Sequence, residues 1–228
     1  MQSINGLSAI ADSYDAFILD LWGVIHDGTQ LYPGVHEALT QLRGASKKII
    51  MLSNAPRRAR KVEKVLNQLG IEPALYDMVL SSGEAGYQWL AQQNAPLGTR
   101  YFYVGPDKDT DVMDGLGYTR CMELRDAQFL LNVGFGSDEP IPDEHAPVLQ
   151  EAKSLGLPML CLNPDLEVVK ITGGRFACAG VLARKYVAMG GEVVWFGKPY
   201  AAVYEQCLRA LVPVGKQRIL AVGDSLDT

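Results

Sequence analysis

The chain has 228 residues, 48% of them hydrophobic, and a formal net charge of −5, which allows one large domain or two modest ones around a real core. Charges of both signs are mixed throughout, so no basic patch argues for nucleic acid, and a net-negative surface repels phosphate backbones. No apolar run approaches about 18 residues, so no membrane span is expected, and any phosphate has to be held locally by one or two cations and backbone amides.

Short β-rich runs alternate with helical patterns. AFILDL (16–21) reads as a buried strand, VHEALTQLR (35–43) as a helix and KKIIMLSN (47–54) as a second strand. RRARKVEKVLNQLG (57–70) sets Val62, Val65, Leu66 and Leu69 at helical spacing and stops on Gly70. DMVLSS (77–82) is a third strand. Strand, helix and strand joined by parallel crossovers predict a doubly wound α/β sheet. Such sheets bind ligands at the carboxyl ends of their strands, where Asp20 and Ser53 fall.

A second series follows. RYFYVG (100–105), FLLNVGF (129–135) and PMLCLN (158–163) read as strands, EHAPVLQEAKSLG (144–156) and FACAGVLARKYVAMGG (176–191) as helices. Then come VVWFGKP (193–199), a helix YAAVYEQCLRAL (200–211) and a last strand RILAVGD (218–224). No Pro- or Ser-rich linker separates the two series. An insertion that leaves the first sheet and returns to it accounts for this, with a core over 1–84 and 191–228 and an inserted α/β domain over 85–190. Cys121, Cys161, Cys178 and Cys207 form no CxxC pair and sit in apolar segments. Reduced thiols of a cytosolic protein are expected. The opening MQSINGLSAIADSYD lacks a basic start followed by an apolar stretch, so no signal peptide is expected.

Four strand-end features are candidates for one pocket. A carboxylate such as Asp20 at a strand end can take a phosphoryl group as nucleophile, or simply cap its loop. At Ser53-Asn54, a hydroxyl and an adjacent backbone N–H ahead of a helix suit a phosphate oxygen, a helix-capping serine being the plain alternative. In Gly197-Lys198-Pro199, proline stiffens the turn and glycine permits close approach, so the ammonium can neutralise both nucleophile and phosphate. This is no P-loop, because Glu192 stands where the first glycine of GxxxxGK belongs and Pro199 replaces its Ser/Thr. In VGDSLDT (222–228), Asp224 at a strand end suits Mg²⁺, which takes one or two carboxylates and keeps several waters. Each feature is weak alone; their order and common strand-end placement strengthen them together. His26 and Asp27 are expected in a solvated flap. His36 and His145 sit in helical patterns with no HExxH partner, so metal binding by them is not expected.

In these motifs the chain resembles the haloacid dehalogenase (HAD) superfamily, and more narrowly its class IIA of sugar-, nucleotide- and p-nitrophenyl-phosphatase-like proteins. DLWGVIHDG is similar to the first family motif, LSNAPR to the second, GKPYAAVYE to the third and VGDSLDT to the start of the fourth. NPD (163–165) and CAGVLARKY (178–186) look like the class IIA cap domain. The resemblance implies a HAD-like Rossmannoid core with an inserted cap. It implies Asp20 as nucleophile and metal ligand, Ser53 and Asn54 as phosphate-binding, Lys198 as the phosphate clamp, and Mg²⁺ held by Asp20, Asp224 and the Trp22 carbonyl. Asp227 is a further metal-shell candidate, and more sheet and helix are implied beyond Thr228.

The resemblance breaks at one position. Two residues past the nucleophile the family has an aspartate, the general acid that protonates the leaving group; here stands Trp22. An indole N–H donates a hydrogen bond but cannot cycle a proton at neutral pH. Losing a general acid removes about 10²–10⁴-fold in rate. Aspartyl-phosphate formation survives that loss where metal and lysine electrostatics dominate. The expectation is therefore a cytoplasmic, Mg²⁺-dependent HAD-type hydrolase acting on a small phosphorylated metabolite, with no nucleic-acid or membrane partner. The alternatives are a phospholigand-binding protein with impaired turnover and a HAD reaction other than phosphate ester hydrolysis. Oligomeric state stays open, a homodimer being among the outcomes the resemblance allows.

Overall fold

The computed structural model describes residues 3–92, 97–136, 143–169 and 174–225. The chain divides into two compact units, Met1–Ser53 with Arg60–Leu80 and Tyr204–Thr228, and Asn54–Ala59 with Ser81–Val203.

Strand β1 (Ala16–Asp20) is buried at every residue. A parallel strand covered on both faces needs an unbroken apolar run, and AFIL supplies one. Helix α1 (Val35–Gly44) turns Leu39 and Leu42 inward, and β2 (Lys48–Ser53) is buried from Ile49 onward. Helix α2 (Ala59–Gln68) buries Val62 and Leu66, an i, i+4 pair on one face. β3 (Met78–Ser81) runs directly into α3 (Ser82–Ala91), whose Glu84 N–H donates to the Ser81 hydroxyl at 3.1 Å. Next come β4 (Arg100–Val104), β5 (Thr119–Cys121), β6 (Phe129–Asn132), α4 (Ala146–Ser154) and β7 (Met159–Cys161). They are followed by β8 (Glu167–Val169), β9 (Arg175–Ala177), α5 (Ala179–Ala188), β10 (Val193–Trp195), α6 (Ala201–Ala210) and β11 (Ile219–Val222).

In the first unit the sheet order is β11-β1-β2-β3. β1 pairs in parallel with both β11 and β2, with Leu19 opposite Val222 and Asp20 opposite Leu52. This register brings the carboxyl ends of β1, β2 and β11 to one edge. In the second unit the order is β10-β7-β6-β4-β5, with parallel pairing, and β8 and β9 form a separate antiparallel pair. Its core packs Leu130, Met159 and Cys161 of the sheet against Leu149 of α4 and Leu182 and Tyr186 of α5. The molecule is thus an α/β protein built on parallel, doubly wound sheets, as expected.

Three local readings change. Residues 193–195, expected with the first series, pair with β7 in the second sheet. Helix α5 is the crossover of a β-α-β unit, which returns the following strand beside the preceding one. Phe176, expected to start a helix, lies in β9 opposite Val168, and α5 begins only after Cys178. Helix α3 has no clear sequence pattern, because Gly83 and Gly86 depress helical propensity. Both glycines are there for close packing. A Cβ on Gly83 would stand 2.5 Å from the Arg57 nitrogen, and one on Gly86 would stand 2.4 Å from a Leu162 methyl.

Candidate active site

Asp20 ends β1 with 7% of its surface exposed, and its Oδ1 accepts the Leu21 N–H at 2.7 Å. Ser53 ends β2 at the same edge and is also buried. β11 stops at Val222, and Gly223 then leads to the exposed Asp224. Gly23, at φ +80°, lies so close that a Cβ there would fall 2.2 Å from Asp224 Oδ2. The loop after β1 therefore runs against the Asp224 carboxylate, and only glycine fits. Burial, then the charge of Asp20, push the Tyr204 phenol above its ordinary pKa. Tyr204 is thus a neutral hydroxyl near Asp20 that the sequence did not single out.

The same loop disposes of Trp22. Its ring covers Gly28, where a Cβ would meet the indole at 2.6 Å, and it stands edge-on to the His26 ring at 5.9 Å between centroids. The Leu21 carbonyl accepts the N–H groups of both Ile25 and His26, at 2.9 and 3.0 Å. His26 and Asp27 are buried, not in a solvated flap. Because the Gly28 N–H donates to His26 Nδ1 at 3.0 Å, the imidazole proton sits on Nε2; burial also lowers the His26 pKa. Asp27 Oδ1 accepts from the Thr29 N–H, the Thr29 hydroxyl and the Gln30 N–H at 2.7, 2.7 and 2.8 Å. Hydrogen bonds from Thr29 and Gln30 hold its pKa at about 2. Asp27 is an ionised loop staple, unsuited to carry a proton at neutral pH.

The second unit gathers Asn54 and Lys198, both buried at 5% exposure. The Asn54 carboxamide meets the Lys198 backbone twice: Oδ1 accepts its N–H at 2.7 Å, and Nδ2 donates to its carbonyl at 3.1 Å. Nδ2 also donates to Asp165 Oδ1 at 2.7 Å, and the Ser82 hydroxyl donates to Asn54 Oδ1 at 3.3 Å. Asp165 belongs to Asn163-Pro164-Asp165, where the Asp165 N–H donates to Asn163 Oδ1 at 3.0 Å. The glycine of α5 at position 180 has no room for a Cβ, which would lie 2.2 Å from the Pro164 carbonyl oxygen. Ser82 carried no sequence signal; Asp165 could have been found only through its motif.

Asp20, Asp224 and the Trp22 carbonyl are the hard oxygen donors at this edge that could hold a metal. That set suits Mg²⁺, and the missing Cβ of Gly23 leaves the Asp224 carboxylate room beside the peptide that carries the Trp22 oxygen. Among the described residues no three His, Cys, Asp or Glu side chains cluster around a metal position. Asp227 lies outside the described residues.

A profile of haloacid dehalogenase-like hydrolases matches residues 17–119. The crystal structure of a haloacid dehalogenase-like family hydrolase from Brucella suis 1330 is 33% identical, with a TM-score of 0.90 over 99% of this chain and 83% of that one. Phosphoglycolate phosphatase 2 of Arabidopsis thaliana is 24% identical over 258 residues, spanning 99% of this chain and 81% of its own length. The crystal structure of a glycerol phosphate phosphatase from Mycobacterium tuberculosis, in complex with magnesium, shares 26% identity at a TM-score of 0.72; the match covers 96% of this chain and 64% of that protein.

Proposed function

Because the chain belongs to the haloacid dehalogenase-like hydrolases, we propose that it is a Mg²⁺-dependent phosphatase of small phosphorylated metabolites. The observation that carries the reading is the sheet edge of the first unit, where Asp20 ends β1 and Asp224 lies against the glycine that follows Trp22. Asp20 attacks phosphorus: an O–P bond to its carboxylate forms, and the bond to the leaving oxygen breaks. The Leu21 N–H, held on Oδ1, fixes the carboxylate for that attack. Water then hydrolyses the aspartyl-phosphate, releasing phosphate and restoring Asp20. The backbone N–H of Asn54 and the hydroxyl of Ser53 bind phosphate oxygens, and the Lys198 ammonium neutralises charge. Asp20, Asp224 and the Trp22 carbonyl would hold a magnesium ion, which would supply charge neutralisation at the transferring group. Magnesium in the glycerol phosphate phosphatase crystal supports that ion.

The inserted second series, β10 included, acts as a cap that excludes water and sets specificity. The buried thiols of Cys161, Cys178 and Cys207 form no disulfide, which fits a reducing cytoplasm. Among the described residues no helix is long and apolar enough to cross a membrane. A second reading, a phospholigand-binding protein with impaired turnover, is favoured by Trp22 alone. Turnover of a phosphometabolite panel with Mg²⁺ separates the two. Release of phosphate by wild type and none by Asp20→Asn supports the phosphatase; saturable binding without release supports the binder.

A further inference from the structure

A carboxamide has two N–H donors and one oxygen with two lone pairs. In Asn54 all four are used inside the second unit, on Asp165, Ser82 and both sides of the Lys198 backbone. A phosphate oxygen accepts only from donors, and both donors of this side chain are already engaged. The orientation is also determined. Turning the amide over would aim its NH₂ at the Lys198 N–H, and its oxygen at a carboxylate and a carbonyl.

The lysine turn sits flush on this amide. Gly197 has φ +120°, and a Cβ there would fall 2.5 Å from Asn54 Oδ1 and 2.4 Å from the Ser82 hydroxyl oxygen. The Tyr200 N–H donates to the Gly197 carbonyl at 3.1 Å and closes the turn. We propose that the Asn54 side chain is a positioning residue for Lys198 and not a phosphate ligand. It fixes the backbone from which the ammonium projects, and only the backbone N–H of Asn54 is left for phosphate. The consequence for catalysis rests on the reading of Lys198 as phosphate clamp; the pinning of Lys198 does not.

Two measurements on the full chain test this. In the first, backbone amide exchange compares wild type with Asn54→Ala. The Lys198 amide loses its acceptor and should exchange at least tenfold faster, while amides of β4 and β6 keep their wild-type rates. Unchanged exchange at Lys198 overturns the proposal. If Asn54→Ala does not fold, Asn54→Ser serves, because its shorter side chain stays polar but reaches neither side of the Lys198 backbone; it too must speed Lys198 exchange.

The second is a double-mutant cycle on p-nitrophenyl phosphate with Mg²⁺. Asn54→Ala should lower kcat/KM by about 10²-fold, the cost of a misplaced group. In a Lys198→Ala background it should cost less than about threefold, because residues acting through one another are not additive. A full additional 10²-fold loss there would mean that the carboxamide meets phosphate itself. A wild type inactive on a panel of aryl and alkyl phosphates would count against the phosphatase reading, and amide exchange would still decide this one.

Discussion

At residue 22 the indole belongs to the loop, against Gly28 and His26, and supplies no proton to a leaving group. A p-nitrophenolate leaves unaided; a sugar alkoxide does not. Activity should therefore favour aryl or acyl phosphates and fall on alkyl phosphates by up to about 10²–10⁴-fold. Trp22→Asp should raise alkyl-phosphate turnover while destabilising the loop, by up to about 3 kcal/mol because a large aromatic is removed. The check is kcat on one aryl and one sugar phosphate, with urea unfolding alongside; equal fast turnover of both by wild type would sink the argument. Asp27→Asn should leave the aryl-to-alkyl ratio unchanged, since Asp27 is tied to Thr29 and Gln30. Its effect should be on acid stability. The folded pKa of about 2 lies below the value of about 3.9 for an unfolded aspartate, so the unfolded chain binds the proton more readily. The contribution is present above that unfolded value and is lost as pH falls through the folded one. Thermal melts between pH 2 and 6 should show the gap between wild type and Asp27→Asn closing on acidification; a pH-independent gap would contradict the staple.

At the scale of elements, α3 shows packing overriding propensity. Exposed glycine in a helix costs about 1 kcal/mol relative to alanine, so a naive substitution should stabilise. At Gly83 the added Cβ would meet Arg57 backbone at 2.5 Å, and backbone cannot swing aside as a side-chain tip can. Gly83→Ala should therefore destabilise, by about 1–3 kcal/mol as overpacking does. Gly86→Ala meets side chains alone, a Leu162 methyl at 2.4 Å and the Phe196 ring at 3.6 Å, and should cost less. Urea midpoints of the two variants rank them, and a stabilised Gly83→Ala would refute the packing account. The same contrast explains what could be read in advance. β1 and β2 are legible because their apolar runs are local and end on polar residues, Asp20 and Ser53. β8 and β9 are not, since Glu167–Val169 and Arg175–Ala177 each open on a charged residue, carry no unbroken apolar run, and are defined by pairing with each other. Nor is the use of Asn54 legible: its partners lie 28, 111 and 144 residues away in sequence, and no local spacing encodes them.

For the molecule as a whole, the metal reading can be tested without knowing a substrate. Asp20 and Asp224 end up at one sheet edge of a chain with net charge −5. A cation between carboxylates is bound by the folded state and not by the unfolded one, so it must raise stability. At a concentration 100-fold above Kd the gain is about 2.7 kcal/mol. For a chain of this size each kcal/mol raises Tm by about 2–4 °C, so saturating MgCl₂ should raise Tm by about 5–10 °C. A net-negative protein also gains from simple screening, so KCl matched for ionic strength is the control and should give a smaller rise. Asp224→Asn removes one ligand from an exposed position and should abolish most of the magnesium-specific rise while leaving the KCl response intact. Gly23→Ala should do the same by a different route, because its Cβ would displace the Asp224 carboxylate from 2.2 Å away. Equal rises in MgCl₂ and KCl, or a magnesium-specific rise untouched by Asp224→Asn, would remove the metal from this edge. A rise lost in both variants would place the ion there by two independent perturbations, one of the ligand and one of the space it needs.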